Sequence, residues 1–98
     1  MNLIKTHEFD FEGKRYEVRV WSDVDSIEIQ TFLQGVPAND YLYSVRFGTR
    51  LGMMNNLGID AVQDLIKQAE RDVRTKMWER YLKAVSAKTT TAGRHQNA

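Results

Sequence analysis

Along the first half of the chain apolar and polar residues alternate with the period of two that marks half-buried strands, and in the second half they recur with the period of a helix. Leu3, His7, Phe9 and Phe11 share one parity against Thr6, Glu8 and Asp10, with Ile4 out of step. Tyr16, Val18 and Val20 alternate with Arg15, Glu17 and Arg19, and Glu12-Gly13-Lys14 between the two runs supplies the glycine that a tight hairpin needs for its positive φ. The turn-forming cluster Ser22 to Ser26 precedes Ile27, Ile29, Thr31 and Leu33 on alternate positions. A helix over 24–33 is the competing reading, but β-branched Ile27, Ile29 and Thr31 fit a pleated surface better. Gly35 to Asp40, with the only proline, is expected to connect to a last strand in which Tyr41, Tyr43, Val45 and Phe47 alternate with Leu42, Ser44 and Arg46. Four strands with short links, or three if 24–33 is helical, make an antiparallel meander.

Gly48 to Gly58 holds three glycines and the pair Asn55-Asn56, and is expected to be a loop. Asp60, with Gln63 three residues on, then opens a helix that meets neither glycine nor proline until past Val85. Glu70 with Arg74, Asp72 with Lys76 and Glu79 with Lys83 fall at the i, i+4 spacing of helix ion pairs. Val62, Leu65, Ile66, Ala69, Val73 and Met77 share one arc, which should cover the sheet. The expected core is Phe9, Phe11, Val18, Val20, Ile27, Ile29, Tyr43, Val45, Phe47, Val62, Leu65, Ile66, Ala69 and Val73. From Ser86 to Ala98 no apolar residue exceeds alanine in size, so this tail is expected to be disordered. The fold expected is α+β: one domain over 1–85, a meander packed on one long C-terminal helix.

That helix leaves apolar residues over. Trp78, Leu82 and Val85 lie about 100° or more from the core arc, with Tyr81 at its border, and a helix of about 25 residues outreaches a strand of about seven. Trp78, Tyr81, Leu82 and Val85 are therefore candidate interface residues. The competing readings are that the helix bends or ends near Lys76, or that Arg50 to Leu57 folds back over them. Trp21, Phe32 and Leu42 project from the other face of the sheet, as an aromatic platform or as residues covered by a bulge or loop.

Composition narrows the chemistry. The 98 residues carry 14 basic and 13 acidic groups and no cysteine, which excludes disulfide scaffolds, thiol catalysis and cysteine-built metal sites. Two histidines, His7 and His95, are too few for a His-rich metal centre, and neither a metal nor a cofactor is expected. Charges from Lys5 to Arg19 leave no room for the apolar core of a signal peptide, and no uncharged run is long enough to span a bilayer, so a cytoplasmic protein is expected. His7 among Phe9 and Phe11 is a packing or rim residue. Asp23 and Asp25 lack the glycine and terminal glutamate of a calcium loop, and Gly48-Thr49-Arg50-Leu51-Gly52 matches no phosphate-binding motif. No catalysis is expected.

Charge is divided unevenly, −4 over residues 1–66 and +5 over 67–98. Lys67, Arg71, Arg74 and Lys83 are candidate phosphate contacts, although cations near a helix C-terminus also complement its dipole. In element order the chain resembles the β-β-β-α part of a double-stranded-RNA-binding domain. Such domains carry lysines where this helix opens with the acidic Ile59-Asp60-Ala61-Val62-Gln63-Asp64, so the likeness is of topology alone. The expected function is a non-catalytic interaction domain whose distal helix meets a protein partner or a second copy; the alternative is nucleic-acid binding through the basic helix face.

Overall fold

Two hairpins with two-residue turns set the architecture in the computed structural model, which describes residues 1–86. Strand β1 (Asn2–Phe11) reverses into β2 (Lys14–Ser22) through Glu12 at φ 51° and Gly13 at φ 76°, and β3 (Ser26–Leu33) reverses into β4 (Val36–Arg46) through Gln34 at φ 53° and Gly35 at φ 80°. Two successive left-handed residues twist with the strands they join. Between β2 and β3 the Asp23 N–H donates to the Ser26 carbonyl at 2.8 Å, and Asp23 Oδ1 accepts from the Val24 N–H at 2.9 Å. The sheet is antiparallel in the order β1-β2-β3-β4, so 24–33 contributes a strand and the four-stranded meander stands.

The connection expected over Gly35 to Asp40 is corrected to Gln34-Gly35 alone. Val36 to Asp40 belong to β4, with Pro37 opposite Phe32. β4 is an edge strand, where a missing N–H need cost no ladder bond. Pairing is irregular between Gln30 and Phe32, where β4 carries the surplus residues, and between Leu3 and Lys5, where Ile4 is the extra one. Ile4 is the residue that broke the parity of the sequence.

Helix α1 (Phe47–Leu57) stands where a loop was expected. Its glycines and asparagines are weak helix formers, and two anchors offset them. The Phe47 N–H donates to the Asp25 carbonyl at 3.1 Å, which ends β4 one residue early and leaves Phe47 41% exposed, outside the core assigned to it. Arg50 grips Asp60 with two nitrogens at 3.0 and 3.1 Å. Gly58 at φ 65° stops the helix, its N–H donating to the Met54 carbonyl at 3.1 Å. No residue of α1 is buried.

Helix α2 (Ala61–Arg74) begins at Asp60, whose Oδ1 accepts from the Val62 N–H at 3.0 Å. Its end overturns the expected single long helix. The Thr75 hydroxyl and N–H both turn back onto the Arg71 carbonyl, at 2.8 and 2.9 Å, and Lys76 adopts φ 55° before α3 (residues 77–86) starts. A threonine hydroxyl competes with the backbone for that carbonyl, and the left-handed residue redirects the chain. Lys76 then reaches Glu12 at 2.9 Å, tying the elbow to the first hairpin instead of to Asp72 as the i, i+4 spacing suggested. Ser86 is helical; the remainder of the tail expected to be disordered lies outside the described residues.

The core lies under α2. Val18, Val20, Ile27 and Ile29 are wholly buried and meet Phe9, Val62, Ile66, Ala69 and Val73. Phe11, Tyr43, Val45 and Leu65 close its margin together with Tyr16, and Met77, expected on the core arc, is exposed beyond the elbow.

Ile29→Ala should therefore cost roughly 2–5 kcal/mol in urea denaturation, whereas Leu51→Ala on α1 should fall within about 0.5 kcal/mol of wild type. The Arg50 guanidinium, together with the helix N–H groups, holds the Asp60 carboxyl below its ordinary pKa, so its stabilisation is complete above the unfolded value and is lost as pH falls through the folded one. Asp60→Asn keeps a cap but loses the charge pair: denaturation midpoints of variant and wild type should differ at neutral pH and converge below about pH 4.

Candidate interaction face

The elbow decides where the distal helix goes. Lys76, left-handed and paired with Glu12, turns the chain into α3, and Trp78 meets Tyr41 of β4, ring centroids 5.5 Å apart and nearly perpendicular. Tyr81 stacks on the other side of Trp78 at 5.6 Å. Trp78 is thus half-buried and belongs to the fold, while Tyr81, Leu82 and Val85 are 53%, 46% and 41% exposed. At about 100° per residue Met77, Tyr81, Val85, Trp78 and Leu82 fill one continuous arc, and Glu79, Arg80 and Lys83 lie off it. Of the two competing readings, the helix does end near Lys76, yet only Trp78 gains cover; the segment from Arg50 to Leu57 is itself helical and leaves its own apolar stripe, Phe47, Leu51 and Met54, outward.

Beneath the elbow sits Asp72, which the i, i+4 reading placed on the surface and which is 4% exposed. Its Oδ2 accepts from the Tyr43 hydroxyl and its Oδ1 from Gln68 Nε2 at 2.8 Å. Burial, and donation to the carboxylate, push the Tyr43 phenol well above its ordinary pKa. The contact joins β4 to α2. Only the outward spacing of Asp72 was visible in the sequence, and nothing there marked Tyr43 as its partner.

The basic residues divide. Lys67, Arg71 and Arg74 line one shallow groove on the outer face of α2, but Glu70 lies among them. Arg74 Nε donates to Glu70 at 2.8 Å and its guanidinium lies over Phe9 and Phe11, 5.2 and 5.9 Å from the ring centres. Lys83 is on α3, past the elbow. His7 Nε2 donates to the other oxygen of Glu70 at 2.7 Å, and these two donors hold that carboxyl below its usual range. His7 therefore serves docking of α2 on β1.

On the open sheet face Trp21 and Phe32 meet edge to face at 5.5 Å, Arg19 lies 4.2 Å over Phe32, and Leu42 completes a shallow apolar groove. Register alone places them there: Trp21 opposes Glu28, and Gln30 opposes Leu42.

Among the described residues no three histidine or acidic groups stand together as a metal site, and no helix is long and apolar enough to cross a membrane. Comparison of the chain with protein-family models, with curated proteins and with solved structures finds no match.

Tyr43→Phe should cost about 1–3 kcal/mol in chemical denaturation, because it removes one of the two donors to a buried carboxylate. A loss under about 0.5 kcal/mol would remove that contact from the forces holding β4 to α2.

Proposed function

We propose that the domain is a non-catalytic interaction module, working in the cytoplasm, that pairs with a second copy of itself through α3. The observation that carries this reading is the exposure of Tyr81, Leu82 and Val85, with Met77, on one arc of a helix whose direction is already fixed by Lys76 and Trp78. Apolar area left in water forgoes about 25 cal/mol per Å², and a chain with so small a core has little stability to give up. A rigid aromatic anchor beside flexible aliphatic residues suits an interface, and pairing one helix face with its own copy buries both at once. The cytoplasmic placement rests on the cysteine-free composition.

Nucleic-acid binding draws less from the geometry. Of the four candidate phosphate contacts, Arg74 is committed to Glu70 and to two aromatic rings, and Lys83 stands on a separate helix from Lys67 and Arg71.

Sedimentation velocity over a concentration series should show wild type self-associating, and Leu82→Glu with Val85→Glu sedimenting as a folded monomer with an unchanged far-ultraviolet circular-dichroism spectrum. Both side chains point away from the core, so the fold should survive the change. A wild type that stays monomeric at high concentration, or a variant that associates as wild type does, overturns the reading.

A further inference from the structure

The last turn of α2 and the first turn of α3 line one side of a cavity of about 140 Å³ at the hairpin end of the sheet. Its walls include Tyr16 from β2 and Trp78 from α3, with Asp72 and Glu79 on the helix side, Asn39 on β4 and Lys14 at β2. Two features give this space a chemical preference.

The first is negative charge on the helix side, where Asp72 has no ion-pair partner among the described residues. Asp72 is buried, and both groups that donate to it, the Tyr43 hydroxyl and the Gln68 amide, are neutral. Among the described residues no Lys or Arg nitrogen lies within ion-pair distance of it. A carboxylate has about four acceptor positions, and those two bonds use half of them. A buried charge without a counter-charge is costly, so a cation entering here gains more than it would at the surface. Glu79 adds a second negative group, whose field with that of Glu12 helps raise the Tyr16 phenol above its ordinary pKa, after the effect of burial. Lys76 on the elbow is paired with Glu12, and its field partly opposes that of Glu79 at Tyr16.

The second is the pair of aromatic walls. Tyr16 is braced by Phe9, ring centroids 5.3 Å apart and nearly parallel, and Trp78 is braced by Tyr41 and Tyr81. Rings held in place attract a weakly hydrated cation through their quadrupoles at no further ordering cost. An anion would meet two carboxylates. A metal ion would find, among the described residues, fewer than three histidine or acidic side chains together here.

We propose that this cavity binds the ammonium group of a small organic cation. Asp72 and Glu79 supply the charge, Tyr16 and Trp78 enclose the alkyl substituents, and Lys14 is the cation that competes at the mouth.

The full chain is titrated by NMR with tetramethylammonium and with butylammonium, and in parallel with neopentyl alcohol and butanol, which match them in shape without the charge. Saturable shifts of the Trp78 indole and Tyr16 ring signals are expected with an ammonium ion and not with the alcohols. Glu79→Gln should weaken the binding up to about fivefold, and Lys14→Met should tighten it. Both side chains lie outside the core, so these variants test the site without the risk to folding that Asp72→Asn carries. The absence of saturable shifts, equal binding of the alcohols, or affinity moving the opposite way in the two variants overturns the proposal. Sedimentation of the same samples reads self-association separately, so either reading can fail without the other.

Discussion

Burial of one sheet face by one short helix is the constraint on which everything else rests. Val18, Val20, Ile27 and Ile29 stand on the two central strands, and among the described residues the apolar stripe of α2 lies over them. A lone four-stranded sheet with a wet apolar face would not persist, and α2 alone would be marginal as a helix. Each is stable because the other covers it. With 14 residues, α2 spans about 21 Å, enough to cross the sheet once. Whatever follows must turn aside or hang in solvent, and the chain turns at Thr75 and Lys76.

The polar contacts around α2 read as devices for holding that crossing in place. His7 and Arg74 converge on Glu70 at the β1 side, Tyr43 and Gln68 converge on Asp72 at the β4 side, and Arg50 and Asp60 lock its start. Exposed ion pairs of this kind contribute little singly. The buried Asp72 differs, because losing a donor there leaves part of a charge without solvation.

The strands were legible in the sequence because a period of two with β-branched residues has few competing explanations, and even the Ile4 irregularity showed as a break in parity. The helical half was legible only in part. Its core arc to Val73 was plain, and the divergence of Trp78, Leu82 and Val85 from that arc left a bend near Lys76 open, but a stretch without glycine or proline from Ala61 to Val85 favoured one continuous helix. The stop combines a threonine hydroxyl turned onto a carbonyl of its own helix with a left-handed lysine whose ammonium pairs with Glu12 of the first hairpin, and periodicity encodes neither. The α1 segment failed in the opposite sense: glycine and asparagine argued for a loop, and anchors at Asp25 and Asp60, distant in sequence, outweighed that propensity. For the candidate face, the outward residues were identifiable from the helical wheel, while the contact of Trp78 with Tyr41 follows from the elbow and was not legible in the sequence. Asp72 was misplaced for the same reason: its expected partner, Lys76, lies on the far side of the turn.

The edge strands carry a consequence of their own. A sheet with two open edges invites further strands to add by backbone hydrogen bonding, the route to open-ended stacking of chains. Here β1 is interrupted by the extra residue at Ile4 and bears Lys5, Glu8 and Asp10, while β4 carries Pro37 and a stretch of surplus residues. Both rims are thus poor templates for strand addition. Main-chain pairing of one copy onto the rim of another is thereby disfavoured, and with it open-ended growth into fibres.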